Sequence, residues 1–138
     1  MKEETLVLIK PDAVGKSVIG KIIAIYEENG LSVRAAKMMR MTRELAAKHY
    51  EEHIGRPYYE ELVEFMTGGP IIAMIISGED AIKRVREING KTNPKEAAEG
   101  TIRKLFAQDG SKNAVHASDS PESAKRERNI FFAEAEIF

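Results

Sequence analysis

The sequence predicts an α+β fold, a ferredoxin-like βαββαβ sandwich in which an antiparallel four-stranded sheet carries helices on its face. A helical insertion and a long irregular loop elaborate it. Three observations predict this. Short β-branched apolar runs alternate with stretches of helical period. Their order is strand, helix, strand, helical insertion, strand, helix, irregular segment, strand. A length of 138 residues suits one core, so residues 1–138 are expected to form a single domain.

The elements follow in order. Thr5 to Ile9 is a β-branched apolar run that stops at Pro11, a buried strand whose end delivers Lys10. Ser17 reads as a helix N-cap, Val18, Ile19, Ile22, Ile23 and Tyr26 repeat at helical spacing, and Asn29-Gly30 supplies the stop. From Leu31 to Met41 the apolar residues largely alternate, as in a strand with one buried face. Helical stretches from Thr42, and from Pro57 to Gly68-Gly69, form the insertion. Ile71 to Ile76 reads as a central strand. Glu79-Asp80 then opens a helix whose Ala81, Ile82, Val85 and Ile88 share a face. Asn89 to about Pro121 is too long for a passive connection, and such segments usually carry function. The last strand is expected near Ile130 to Ala135.

Composition bounds the function. Apolar residues make up 43% and charged residues 31%, with no stretch near the ~20 apolar residues that a membrane span needs. The start, Met-Lys-Glu-Glu-Thr followed by a short apolar run, is not that of a signal peptide, and a cytoplasmic location is expected. The absence of cysteine excludes disulfides, thiolate metal sites and thiol catalysis. A net charge of -1 offers no general attraction to nucleic acid or anionic lipid, so an anion must be held by locally clustered basic groups.

Three motifs carry possible chemistry. Gly15-Lys16-Ser17 resembles the tail of a phosphate-binding loop, but the glycine needed five positions earlier is Lys10, so a helix cap is the better reading. His49-Tyr50-Glu51-Glu52-His53 fits an H-x-x-E-H zinc pattern with no identifiable third ligand, against which stands a plain solvated helix or a helix lending Tyr50 to a site. The third centres on His116, with Ser118, Asp119 and Ser120 beside it and Glu127 on a helix opened by Ser120-Pro121-Glu122. A carboxylate one or two turns into that helix could fix the imidazole tautomer and raise its nucleophilicity. Arg86, Thr92, Arg103 and Lys10 could supply donors to a polyphosphate. Spacing alone leaves this as a phosphate-handling site.

Several blocks along the chain resemble the nucleoside diphosphate kinase family in their order. They are Thr5 to Ala13, His49-Tyr50, Arg56-Pro57-Tyr58-Tyr59, Gly69-Pro70, Thr92-Asn93-Pro94, Gly100-Thr101-Ile102-Arg103 and Asn113-x-x-His116-x-Ser118-Asp119-Ser120. The resemblance implies a ping-pong exchange. A nucleoside triphosphate phosphorylates His116, and a nucleoside diphosphate removes the group, maintaining NTP and dNTP pools. By motif position, Lys10 contacts phosphates and sugar, and Tyr50 supports the histidine region. Arg86, Thr92 and Arg103 hold phosphate oxygens, Asn113 binds the ribose hydroxyl, and Ser118 and Glu127 orient the imidazole. Tyr58 stands where the family stacks an aromatic ring on the base. The irregular segment becomes an active-site loop. Magnesium is expected through the nucleotide phosphates, with no protein metal box, and the partners are nucleoside tri- and diphosphates. A homo-oligomer, tetramer or hexamer, is implied, while nucleic acid and membrane are not.

The chain departs from the family pattern at Lys104-Leu105, where a small residue and an acid are frequent, and at Ala117, where Gly is frequent. It departs also at Gly110, where a branched apolar residue commonly covers the base. The end at Phe138 and the Ser120-Pro121-Glu122-Ser123-Ala124 segment are similar to bacterial members. A nucleotide-sensing module without catalysis is the rival reading on the same scaffold.

Overall fold

The computed structural model describes residues 2–138. Strand β1 (Lys2–Ile9) leads into a short helix α1 (Pro11–Gly15), helix α2 (Ile19–Glu28) and strand β2 (Ser32–Arg40). The insertion contains α3 (Arg43–His49), one 3-10 turn (Glu51–His53) and α4 (Tyr59–Thr67). Strand β3 (Pro70–Glu79), α5 (Ala81–Asn89), α6 (Ile102–Phe106), β4 (Val115–Ala117), α7 (Pro121–Phe131) and a 3-10 turn (Glu134–Glu136) complete the chain. The sheet order is β2-β3-β1-β4, with every neighbouring pair antiparallel, as the ferredoxin-like reading requires.

Both faces of this sheet are covered, which explains why β1 and β3 read as continuous apolar runs rather than alternating ones. Val7, Ile9, Ile72, Met74 and Ile76 pack on one side with Ile22, Tyr26 and Val85 from α2 and α5. Leu6, Leu8, Ala73 and Ile75 pack on the other side with Val63, Met66 and Phe131 from α4 and α7. Each fully buried Leu or Ile contributes about 1.5–3 kcal/mol by leaving water, so β1 is fixed tightly from both sides. Its end therefore holds Lys10 in a set position. Among the described residues, no helix is long and apolar enough to cross a membrane.

Three sequence expectations need correction. The fourth strand is Val115–Ala117, drawn from inside the irregular segment, and Leu8 pairs with His116 across it. Ile130 to Ala135 is not a strand: α7 runs through Phe131, and the apolar run at its end packs on the sheet as a helix terminus. Ser17 is not an N-cap. Pro11 opens α1 at its first turn, Ser17 follows with a left-handed φ of 60°, and Val18 occupies the cap position of α2. The second insertion helix starts at Tyr59, just beyond Pro57.

Candidate active site

The strand β4 presents His116 beside α7, and the start of α7 is fixed by local chemistry. The Ser120 hydroxyl accepts from Ser123 N–H at 3.1 Å, and Pro121 fills the first turn. Two turns in, Glu127 is almost fully buried, at 5% exposure. Its Oε1 accepts from His116 Nε2 at 2.8 Å and from the Ser118 hydroxyl at 2.9 Å. Leu6 N–H donates to that same hydroxyl at 3.3 Å, which ties the cluster to β1. An ionised carboxylate only accepts, so this contact assigns the proton to Nε2 and leaves the lone pair on Nδ1. The His116 side chain keeps 24% of its surface exposed.

Tyr50 and His49 lie behind this pair. Tyr50 is buried, its hydroxyl has no hydrogen-bond partner among the described residues, and burial together with the Glu127 charge pushes its phenol above the ordinary range. It is a donor at neutral pH. Tyr50, His49, His116 and Glu127 line one small cavity of about 120 Å3.

A second, larger cleft of about 1280 Å3 is lined by Arg86, Thr92, Arg103, Gly110, Asp119 and Ser120 among others. Asp119 borders both cavities, so the nucleophile candidate and the cationic cleft meet there. Arg103 is braced by donating to the carbonyls of Gly90 and Val115, each at 2.8 Å. Gly90 must be glycine: its φ is +88°, and a Cβ there would lie 2.6 Å from the Thr101 hydroxyl oxygen.

Lys10 and Asn113 connect the two regions. The Lys10 ammonium donates to Asn113 Oδ1 at 2.8 Å, and the Asn113 amide donates to the carbonyls of Thr92 at 3.3 Å and Gly110 at 3.1 Å. Ala114 holds a left-handed φ of 73°, stabilised by Lys10 N–H donating to its carbonyl at 2.8 Å and by its own N–H donating to Asp12 Oδ2 at 3.0 Å. Such backbone strain in a non-glycine residue, on the order of 1–2 kcal/mol, is characteristic of functional sites. Burial, reinforced by the Arg103 charge and opposed by Asp12, pushes the Lys10 ammonium down to about 8.

The structure thus brings together His116, Ser118, Glu127 and Tyr50 in one group, and Arg86, Thr92 and Arg103 in another, bridged by Lys10 and Asn113. Tyr58 stands apart: it is 47% exposed, and its hydroxyl meets His53 Nδ1 at 2.5 Å. The zinc peptidase pattern does not form. Helix α3 ends at His49, so His49 is buried against His116 while His53 lies on the following turn, bonded to Tyr58. Sequence reasoning overlooked Asp12 and the buried side of His49. The signal for Asp12 was its place in Lys10-Pro11-Asp12, directly after a buried strand.

Comparison with known proteins covers nearly the whole chain. Residues 3–137 match the sequence profile described as Nucleoside diphosphate kinase. The chain is 56% identical over 135 residues to a nucleoside diphosphate kinase of Campylobacter fetus subsp. fetus, covering 98% of each chain. It is 54% identical over 138 residues to one of Methanocaldococcus jannaschii, covering 100% of this chain and 99% of the relative. Among solved structures it is similar to the Aquifex aeolicus nucleoside diphosphate kinase, with a TM-score of 0.98, 48% identity and 100% of both chains covered. It is also similar to the Halobacterium salinarum nucleoside diphosphate kinase in complex with CDP, with a TM-score of 0.96, 39% identity, and 100% and 92% coverage.

Proposed function

Because the chain belongs to the nucleoside diphosphate kinase family, and is therefore a phosphotransferase acting on nucleotides, we propose that it transfers the terminal phosphoryl group by a ping-pong route through His116. The observation that carries this reading is the Glu127 contact at 2.8 Å from His116 Nε2, which leaves Nδ1 as the nucleophile. In the first half, the Nδ1 lone pair attacks the terminal phosphorus of a nucleoside triphosphate. The bond to the bridging oxygen breaks, and the diphosphate leaves with that electron pair. The phosphorylated ring keeps its Nε2 proton and is cationic, and the Glu127 carboxylate stabilises it. In the second half, a terminal oxygen of another nucleoside diphosphate attacks the phosphorus and the P–N bond breaks. Repeated exchange of this kind maintains NTP and dNTP pools.

Arg86, Thr92 and Arg103 supply donors to the phosphate oxygens, and Tyr50 supplies a protonated hydroxyl beside the ring. Asn113 presents an amide to the ribose hydroxyl, with Lys10 between sugar and phosphates. Among the described residues, the close metal-capable group is His49, His116 and Glu127, whose nitrogen-rich donors do not suit a hard oxygen-seeking ion. Mg2+ would therefore be held through the nucleotide's own phosphate oxygens, with Asp119, which lines both the cleft and the His116 cavity, as a carboxylate the chain could add. When bound it neutralises phosphate charge. The place of β2 at the end of the strand order and the exposed Met38 and Phe138 support a homo-oligomer, tetramer or hexamer. A cysteine-free sequence suits a cytoplasmic location.

Initial rates with ATP and GDP test the route. Parallel double-reciprocal lines are expected, and lines that intersect would refute a covalent intermediate.

Two further results are expected from the binding groups. Free Lys10 is charged below about pH 8 and loses its proton above it, whereas bound phosphates favour the charged form. The KM for ATP should stay flat up to about pH 8 and then rise by as much as roughly tenfold per pH unit. Lys10→Arg, which keeps its charge, should flatten the profile. A wild-type KM that does not change through pH 9.5 would contradict this. For Tyr58→Ala, loss of base stacking, about 1–3 kcal/mol, should raise KM by roughly tenfold for purine and pyrimidine nucleotides alike, with kcat little changed. An unaltered KM would remove Tyr58 from the base site.

A further inference from the structure

His49 has no task in the phosphoryl-transfer scheme, yet its environment is unusual. It is 4% exposed, and among the described residues neither of its ring nitrogens has a hydrogen-bond partner. A neutral imidazole carries one donor and one acceptor, and leaving either unmade in the interior is unfavourable. The ring stands edge-on to His116, with centroids 4.7 Å apart, and packs on Tyr50 and Phe131 at 4.5 and 5.2 Å. Burial first, then the charges of His116, Arg126, Lys10 and His53, keep it unprotonated well below the usual range for histidine. A neutral imidazole offers one nitrogen lone pair, and no hydrogen bond among the described residues takes it up. It adjoins the cavity of about 120 Å3 that His116 and Glu127 also line. One ligand atom from each of His49, His116 and Glu127 lies within 4.8 Å of the other two.

We infer that His49, His116 and Glu127 form an inhibitory binding site for a borderline divalent cation of the zinc class, filled only while His116 carries no phosphoryl group. Two imidazoles and one carboxylate match Zn2+, Ni2+ or Cu2+ and not Mg2+, so the ion that accompanies the nucleotide does not compete. Donors at about 2.0–2.1 Å from a tetrahedral ion are roughly 3.4 Å apart, so the widest separation, up to 4.8 Å, must close by as much as about 1.4 Å. The 2.8 Å contact between His116 Nε2 and Glu127 must open if that nitrogen is the ligand. The cavity gives the His49 ring room to turn, and water takes the fourth position. The Arg126 guanidinium, 3.7 Å from Glu127 Oε2, opposes the dication, as does the Lys10 charge. The site is thus one that empties readily rather than a structural metal centre.

Either nitrogen of His116 yields the same outcome. An ion on Nδ1 occupies the attacking lone pair. An ion on Nε2 takes the place of the proton now given to Glu127, and that proton moves to Nδ1. Metal binding itself is independent of the phosphohistidine route, whereas the inhibition rests on that reading.

The test titrates the full-length, metal-stripped chain with Co2+ in millimolar Mg2+, followed by its visible absorption, and then displaces Co2+ with Zn2+. One Co2+ per chain with a tetrahedral-type band is expected, displaced by Zn2+ and not by excess Mg2+. Loss of outer partners alone weakens metal sites 10–100-fold, so His49→Ala and His49→Gln should each weaken binding by about 100-fold or more. Arg126→Ala, which removes no ligand, should tighten it. No band and no stoichiometric Zn2+, or binding unchanged in the His49 variants, would overturn the site and leave the cavity to water. If the metal binds as expected yet Zn2+ leaves phosphoryl transfer undiminished, the site stands and the role of His116 as acceptor falls.

Discussion

His116→Ala is expected to lower phosphoryl transfer between ATP and GDP by at least about 10,000-fold, the scale on which a covalent nucleophile acts. The substitution removes the atom that would carry the phosphoryl group and leaves the binding groups in place. Asn113 joins Lys10 to the Thr92 carbonyl, and Arg103 is held by the Gly90 and Val115 carbonyls, contacts that do not involve the His116 side chain. Nucleotide affinity should therefore change little, and the fold should persist, because the strand pairing of Leu8 with residue 116 uses backbone. Isothermal titration with ADP beside a coupled rate assay separates the two effects. Loss of binding together with loss of rate would mean that His116 supports the cleft rather than the chemistry.

Glu127→Ala should reduce kcat by between about 100-fold and 10,000-fold, the range over which an orienting carboxylate acts through its histidine. Without it the Nε2 proton and the Ser118 hydroxyl lose a common acceptor, at 2.8 and 2.9 Å. The imidazole is then free to place its proton on Nδ1, where it blocks attack. The cationic phosphorylated ring also loses its counter-charge. Stability should fall too, by about 1–3 kcal/mol, because buried donors are left unpaired. Glu127→Gln is the informative contrast. Its amide oxygen can still accept both hydrogen bonds but carries no charge, so an intermediate kcat is expected. Near-wild-type turnover in Glu127→Ala would show that the nucleophile needs no orienting group.

The legible and illegible parts of this molecule divide along physical lines. Thr5 to Ile9 and Ile71 to Ile76 are readable because strands buried on both faces are written as unbroken apolar runs. The start of α7 is readable because Ser120-Pro121 is local chemistry that acts within one turn. The strand around His116 is not, since Val115-His116-Ala117 is too short to show a period and becomes a strand only by pairing with Leu8 and its neighbours. For the same reason Ile130-Phe131-Phe132 misleads: three apolar residues in a row fit a strand as well as a helix end, and packing decides. The left-handed Ser17 and Ala114 have no glycine to advertise them.

At the site, the residue types carried the chemistry before the geometry did. The carboxylate at Glu127 was expected to fix His116, and it contacts both His116 and Ser118. The depressed Lys10 and the unpartnered His49 depend instead on burial by residues far away in sequence, which no local motif encodes. Gly110 lines the cleft with open space where a Cβ would stand. Under the proposed function, Tyr58 on the exposed insertion is then the aromatic group offered to the base.

In the proposed route the phosphoryl group rests on His116 between two nucleotides. To trap it there, the enzyme is mixed with γ-labelled ATP, the protein is isolated free of nucleotide, and unlabelled GDP is then added. One acid-labile, alkali-stable label per chain is expected on the peptide containing His116, discharged completely to labelled GTP. Labelled GTP that forms only when ATP and GDP are present together, with no labelled protein at any time, would contradict it.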